Sequence, residues 1–183
     1  MIKTSIYRPQ QRGMVLVTAL LLLIVVTILA VGMFRSFGLD ERMAGNVREK
    51  NRALNTAESA EQAAEYWLLN NSSTGVSCTA PVTWPTAQIC NTAMAASAVT
   101  QLPWTAGVNY APPSINVTAT AGQNTFYDNP RFYITYLGLT PSGLSKIYQI
   151  DAYSYGAAPD TAAVVEATYA VSTGVSCLGG CGQ

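Results

Sequence analysis

The residues that could do chemistry are few, and their spacing is poor for catalysis. Histidine is absent, which removes the side chain that most often acts as a general base. Ser145 and Lys146 are adjacent, but neighbouring residues of a strand point to opposite faces, so the pair is unsuited to a serine–lysine hydrolase. Asp128, Asp151 and Asp160 lack the spacing of a calcium-binding loop. These observations predict a protein that is not an enzyme and that needs no cofactor or metal.

The chain has four cysteines. We prefer the pairs Cys78–Cys90 and Cys177–Cys181, because each closes a short loop and two glycines between the last two permit a tight ring. The alternative pairing joins the two central cysteines to the two near the C-terminus. A zinc site built from all four is a further alternative, although the spacings are poor for zinc.

Charge is distributed unevenly along the chain. Ten basic and ten acidic side chains cancel overall, but Lys3, Arg8 and Arg12 give residues 1–12 only positive charge. Residues 70–183 contain few charges and no basic patch. Nucleic acid is therefore not predicted as a partner.

An uncharged apolar run extends from Gly13 to Phe34. As a helix it would be about 33 Å long, which matches the hydrocarbon core of a bilayer at ~30 Å. Since the basic residues precede the run, its first end should stay in the cytoplasm and the rest of the chain should lie in the periplasm. The alternative is a secretory signal cleaved after Gly32, but the apolar run is longer than a signal core.

The helical pattern continues beyond the apolar run. No proline occurs between Pro9 and Pro81, and apolar residues recur with the period of one helix face. We therefore predict one helix from about Met14 to about Leu69, ended by the polar residues 70–73. Most of the charges between the apolar positions are interpreted as its solvated side. The predicted apolar face consists of Leu39, Met43, Val47, Leu54, Ala57, Ala64 and Leu68.

Three segments near the C-terminus are typical of strands: residues 131–139, 146–155 and 163–173. The short turn-like links between them favour an antiparallel meander. One face of that sheet can cover the apolar face of the helix, while the other can face water. The predicted fold class is α+β, with a long N-terminal helix packed on a small antiparallel sheet.

Residues 70–130 are predicted to form a loop-rich insertion with one short strand near residues 114–120. Trp84 and Trp104 each lie beside a proline, in a segment with a single charge. Tryptophans in such a segment favour order over disorder. Either both rings belong to the core, or they form a contact surface for other proteins.

Two parts of the sequence resemble a known family. The segment from Arg35 to Glu65, with ERMAGN at residues 41–46, resembles the N-terminal region of the PilX class of type IV minor pilins. YQIDAYSYG at residues 148–156, followed by AVVEATYAVS, is similar to the closing hairpin of that class. The resemblance implies five parts: a leader at 1–13, a membrane or filament-core half-helix at 14–34, an amphipathic half-helix at 35–69, an insertion at 70–130, and a sheet with a cysteine-containing tail at 131–183.

The resemblance also implies processing and position. Prepilin peptidase would cut between Gly13 and Met14 and methylate the new N-terminus. Ordinary pilins have a glutamate where this chain has Thr18, and tip-type minor pilins lack it, which implies a place at the filament tip. The alternative is that Thr18 simply suits a membrane helix, because its hydroxyl can bond to a carbonyl one turn back.

As a member of this class, the chain would prime type IV pilus assembly without catalysing a reaction. Its implied partners are other minor pilins, the major pilin, prepilin peptidase, a tip adhesin, and inner-membrane lipid before assembly. It would lie in the inner membrane with a periplasmic domain, and outside the cell after assembly. Two alternatives stay open: a minor pseudopilin of a type II secretion system, and an anchored periplasmic binding domain that never polymerises.

Overall fold

The computed structural model describes residues 14–118, 120 and 125–172, with the backbone alone at Arg35 and Ser36. The chain divides into two compact units, Met1–Asn46 and Val47–Gln183. The described elements, in chain order, are α1 (Met14–Asn71), β1 (Pro81–Thr83), β2 (Ile89–Cys90), α2 (Ala96–Val99), β3 (Gly107–Asn109), β4 (Arg131–Leu139), β5 (Ser145–Tyr155) and β6 (Ala162–Ser172).

Helix α1 confirms the predicted long N-terminal helix. Its end at Asn71 lies within the polar stretch that was expected to end it, and the Asn71 Nδ2 atom donates to the Trp67 carbonyl oxygen at 2.9 Å. Gly32, Gly38 and Gly45 do not interrupt the helix, and a Cβ atom added at any of them would meet nothing within 4 Å. Each glycine costs ~1 kcal/mol relative to alanine in a helix interior. The helix is continuous despite this cost.

The buried face of α1 is made of small residues. Ala53, Ala57, Ala60, Ala64 and Leu68 are each 0% exposed. Ala60, Ala64 and Leu68 belong to the buried core cluster that includes residues of β4 and β5. The apolar face is therefore an alanine face rather than the leucine-rich face that the sequence first suggests.

The predicted apolar face is wrong at its N-terminal end. Leu39 and Met43 are both 66% exposed, and Val47 is exposed as well. Leu39 and Met43 lie in the first unit, in which α1 is the only described element. The helical period predicts which residues share one face of the helix. It does not predict which part of that face is covered by the sheet.

The sheet has six strands in the order β1-β3-β4-β5-β6, with β2 also paired to β4. The three predicted C-terminal strands are confirmed, and they pair as an antiparallel meander from β4 through β5 to β6. The sheet also contains short strands that were not predicted, and among these β1 pairs with β3 and β2 pairs with β4 in parallel. All three extra strands come from the insertion.

The insertion differs from its predicted form in one further respect. The strand expected near residues 114–120 is not formed among the described residues there, where Val117 makes only an isolated bridge to Phe126. A short strand forms instead at β3, beside β4. Gly107 permits this contact, because it has φ of +109° and an added Cβ would lie 2.7 Å from the Phe132 carbonyl oxygen.

The second face of the sheet is also covered. On this outer face, residues 90–106 and Tyr127 pack against Tyr133, Tyr153 and Tyr155. The expectation that one face would meet water is therefore wrong over this part of the sheet. The sheet lies between α1 on one face and the insertion on the other, which explains why seven of the eleven residues of β5 are buried.

The alanine face predicts a steep penalty for added volume. We expect Ala60→Leu to lower the free energy of unfolding by about 1–3 kcal/mol, since the inserted carbons would force the helix off the sheet. Ala44→Leu makes the same change at an exposed helix position and should leave stability within ~0.5 kcal/mol. Calorimetric unfolding of the detergent-solubilised chain measures both, and equal transition temperatures would contradict the close packing.

Candidate functional site

The first surface that could function in binding is the apolar half of α1. From Met14 to Phe34 its leucine, valine, isoleucine, methionine and phenylalanine side chains are exposed. By length and composition, α1 is able to cross a membrane, and its most apolar window has a mean hydropathy of 3.2 with none of it buried. A surface this apolar is unfavourable in water, so it requires lipid or partner helices around it.

Thr18 lies within this apolar half. Its Oγ1 atom is 3.1 Å from the Met14 carbonyl oxygen and 3.0 Å from that of Val15. The hydroxyl therefore bonds within its own helix and requires no partner from a neighbouring chain. Gly13 lies outside the described residues, and Met14 is the first residue of α1.

A second group of contacts fixes α1 to the folded unit. We call Glu49, Arg52 and their partners the helix clamp. The Arg52 Nη1 atom lies 2.9 Å from both carboxylate oxygens of Glu49, and Nη2 donates to the Thr125 carbonyl oxygen at 3.0 Å. The guanidinium also lies 4.6 Å from the centre of the Phe126 ring. A planar cation with several donors makes all of these contacts at once, which lysine cannot do.

The helix clamp continues to the turn between β5 and β6. Glu49 accepts a hydrogen bond from the Ala157 backbone N–H at 3.1 Å, and Lys50 Nζ donates to the Ala162 carbonyl oxygen. Sequence reasoning placed most of the helix charges on its solvated side, and Glu49 and Arg52 are half-buried exceptions. The three-residue spacing of Glu49 and Arg52 on the helix predicts an ion pair between them. Their other partners, Thr125 and Ala157, are distant in sequence, and no local pattern indicates them.

Residues after α1 are held by β5. The Lys146 Nζ atom donates to the Ser72 carbonyl oxygen at 3.0 Å, and the Tyr148 hydroxyl donates to the Ser73 carbonyl oxygen at 2.8 Å. These donors bind carbonyl groups next to the helix end, where partners are scarce. Lys146 is thus a structural donor, in agreement with the prediction that Ser145 and Lys146 are not a catalytic pair.

The preferred central disulfide is present. Cys78 and Cys90 are joined by a bond that closes a loop with a sequence separation of 12. Such a loop stabilises a fold by about 3 kcal/mol in the chain-entropy account. Cys177 and Cys181 lie outside the described residues, so their predicted pairing stays a prediction.

The two tryptophans pack within the domain. Trp104 is 4% exposed, packs edge-on against Tyr153, and donates from Nε1 to the Val99 carbonyl oxygen at 3.0 Å. The alternative that Trp104 forms an exposed contact surface is therefore wrong. Trp84 is half-buried, with its ring against Tyr110 and Phe132. Both rings help to hold the insertion on the sheet.

One polar group on the outer face is unusual because it is buried. Asp151 is 0% exposed and accepts hydrogen bonds from Gln149 Nε2 at 3.1 and 3.2 Å. Burial raises the pKa of the Asp151 carboxyl; the Gln149 hydrogen bond opposes that rise and the charge of Glu166 adds to it. The outer face of the sheet therefore holds a buried carboxyl group.

Among the described residues, no group of three or more histidine, cysteine, aspartate or glutamate side chains could hold a metal ion. A cavity of about 640 Å³ lies beside the disulfide, lined mainly by apolar side chains of residues 92–106 and by Tyr133. The described residues thus present an exposed apolar helix half and a folded domain with an apolar cavity.

The comparison with known families identifies the N-terminal helix. Residues 12–60 match the family model described as PilX N-terminal, the N-terminal domain of type IV pilus minor pilins. The matched segment contains Thr18, the helix clamp residues Glu49 and Arg52, and three of the five residues of the alanine face. No curated protein matches the chain, and no solved structure matches it.

The helix clamp predicts a specific role for Arg52. We expect Arg52→Ala to lower the free energy of unfolding by about 2 kcal/mol. The substitution removes the contacts to Glu49, Thr125 and Phe126, and it leaves the half-buried Glu49 carboxylate without its positively charged partner. Arg52→Lys should restore only part of that loss, since the fork and the ring contact are missing.

Arg42→Ala is the control, because Arg42 is exposed on the same helix and should be neutral within ~0.5 kcal/mol. Thermal unfolding followed by tryptophan fluorescence in detergent compares the variants. A similar loss for Arg42→Ala and Arg52→Ala would show that the helix clamp does not stabilise the fold.

Proposed function

Because its residues 12–60 are the N-terminal domain of the PilX family of type IV pilus minor pilins, we propose that this chain is a processed minor pilin that primes pilus assembly and occupies the tip. The single observation that carries the tip position is Thr18, which stands where ordinary pilins have a glutamate and, like Thr27 further along, satisfies its hydroxyl within the helix. The chain acts by association and not by catalysis.

Processing removes the basic arm. The proposed cut lies between Gly13 and Met14, and the peptidase methylates the new N-terminus. Glycine suits a site where the backbone must enter an enzyme closely, since it has no side chain to clash. Retained charges at Lys3, Arg8 and Arg12 would have to enter a packed array of apolar helices, where an unpaired charge is very costly.

The tip position follows from charge pairing. In ordinary pilins a glutamate at the position of Thr18 pairs with the amino terminus of the next subunit already in the filament. A carboxylate in an apolar surrounding is tolerable only when paired. The first subunit has no such amino terminus ahead of it, so a hydroxyl that bonds to its own helix is the better side chain at that position.

The proposed location and partners of the chain differ before and after filament assembly. The exposed apolar half of α1 and the pilin family are consistent with membrane anchoring. We place the domain from Val47 onward in the periplasm, with the apolar half of α1 in lipid before assembly and among helices of other minor pilins and the major pilin afterwards. A tip adhesin is the proposed outermost partner.

Processing has a direct test. The intact mass of the chain, purified from cells that contain prepilin peptidase, should equal that of residues 14–183 with one N-terminal methyl group. Cells without the peptidase should yield the chain from Met1. A start at Met1 in both would leave a plain anchor, and a start at Met33 would mean ordinary secretion; either result contradicts the proposal.

The tip position is tested by labelling and by Thr18 variants. Immunogold particles against this chain should lie at one end of sheared filaments, and deletion of the chain should reduce the number of filaments. Thr18→Val keeps the side-chain volume and should restore filament number, since no partner requires the hydroxyl. Thr18→Glu should restore it poorly, because its carboxylate has no amino terminus to pair with.

Two results would contradict the tip position. One is label along the shaft at the frequency of the major pilin. The other is full restoration by Thr18→Glu together with its appearance at internal positions. If deletion instead abolished protein secretion and left filaments unchanged, the chain would belong to a type II secretion machine.

A further inference from the structure

The outer face of the sheet carries a row of polar residues that its hydrogen-bond ladder places together. Asp151 of β5 lies between Tyr133 of β4 and Glu166 of β6. One step along the strands, Gln149 lies between Thr135 and Thr168. Paired residues point to the same face, and positions two apart on one strand share that face. The side chains of both rows therefore stand on the outer face.

The charges in these rows are not balanced by protein groups. Asp151 is fully buried, and its direct cross-strand partner is Glu166. Like charges directly opposite each other in an antiparallel pair are unfavourable. In the described part of the chain the ion pairs join Arg52 to Glu49 and Arg131 to Asp128, so the basic side chains there leave Asp151 and Glu166 without a counter-charge.

Thr135 provides a second, independent observation. It is 1% exposed, and its Oγ1 atom has no hydrogen-bond partner among the described residues. A buried hydroxyl without a partner costs ~1–3 kcal/mol, so the hydroxyl calls for a group that the described residues do not supply. Thr135 pairs with Gln149, whose amide already contacts both Asp151 oxygens, so the Thr135 side chain stands on the same face as the carboxylate, one step along the ladder.

We propose that Asp151, Glu166 and Thr135 bind a calcium ion on the outer face of the sheet, with Gln149 as a further oxygen ligand. Two carboxylates match a divalent charge, and all of the donors are hard oxygen atoms, which calcium prefers. The Gln149 amide now directs Nε2 at Asp151; a half-turn about its last side-chain bond presents Oε1 to the ion instead. Water completes the coordination on the exposed side of Glu166.

Calcium fits this arrangement better than magnesium. Calcium accepts six to eight oxygen ligands in irregular geometry, whereas magnesium demands a near-octahedral set at short distances. Ligands on three neighbouring strands are spaced by the sheet and cannot converge as tightly as an octahedral set requires. An ordered water could satisfy the Thr135 hydroxyl, but it would leave the two carboxylates facing each other. The inference does not depend on where the chain sits in a filament.

The experiment measures thermal unfolding of the full detergent-solubilised chain in EDTA, in 5 mM magnesium chloride and in 5 mM calcium chloride. We expect calcium to raise the transition temperature by about 3–8 °C over EDTA, and magnesium to raise it by less than half as much. Equal effects of the two salts, or no effect of calcium, would overturn the proposal.

Variants separate this site from any other calcium site. Asp151→Asn should abolish the calcium-dependent rise, while its unfolding temperature in EDTA stays equal to or above that of the unchanged chain, since the repulsion from Glu166 is gone. Glu166→Gln, at an exposed position that tolerates substitution, should reduce the rise by at least half. Asp160→Asn changes an exposed aspartate in the turn before β6 and should keep the full rise.

Thr135→Val tests the hydroxyl with a side chain of the same shape. It should stabilise the chain slightly in EDTA, because an unsatisfied hydroxyl is removed, and it should weaken the calcium-dependent rise. A rise that persists unchanged in Asp151→Asn, Glu166→Gln and Thr135→Val would place the ion elsewhere and overturn the proposal.

Discussion

The packing of the alanine face of α1 on β4 and β5 is the contact on which the domain depends. Ala60, Ala64 and Leu68 share one buried cluster with large strand residues that include Phe132 and Tyr148. Apolar burial is the main favourable term in folding. In this cluster most of the large side chains come from the strands, while α1 contributes mainly alanines. The helix clamp, the disulfide and the tryptophans then fix what this contact brings together.

The two halves of α1 have different surfaces. Its first half exposes apolar side chains throughout, and its second half buries one narrow face and exposes charge. Glu49 and Arg52 hold the second half to segments far away in sequence, so the helix is fixed to the domain by directional contacts as well as by apolar area. The match to the PilX N-terminal family model, over residues 12–60, includes parts of both halves of this helix.

The insertion gives the sheet a second covered face, and this changes the character of the domain. Trp104 and the disulfide loop lie over tyrosines of β4 and β5, so the outer face holds buried polar groups as well as rings. A buried carboxylate opposite another carboxylate is unfavourable unless something compensates it. The proposed calcium ion would compensate the charges of Asp151 and Glu166 on this face.

The sequence by itself determined the long helix, its apolar half and the three strands of the meander, because each depends on local periodicity or composition over many residues. The proposed cut after Gly13 stays a prediction. It also indicated the pairing of Cys78 with Cys90, since a short loop favours closure. Only the tertiary structure decided that Leu39 and Met43 stay exposed, that Trp104 is buried, that short parallel strands form instead of one near residues 114–120, and that Arg52 reaches Thr125. These features depend on contacts between residues far apart in the chain, and no local pattern specifies which distant group will fill a given position.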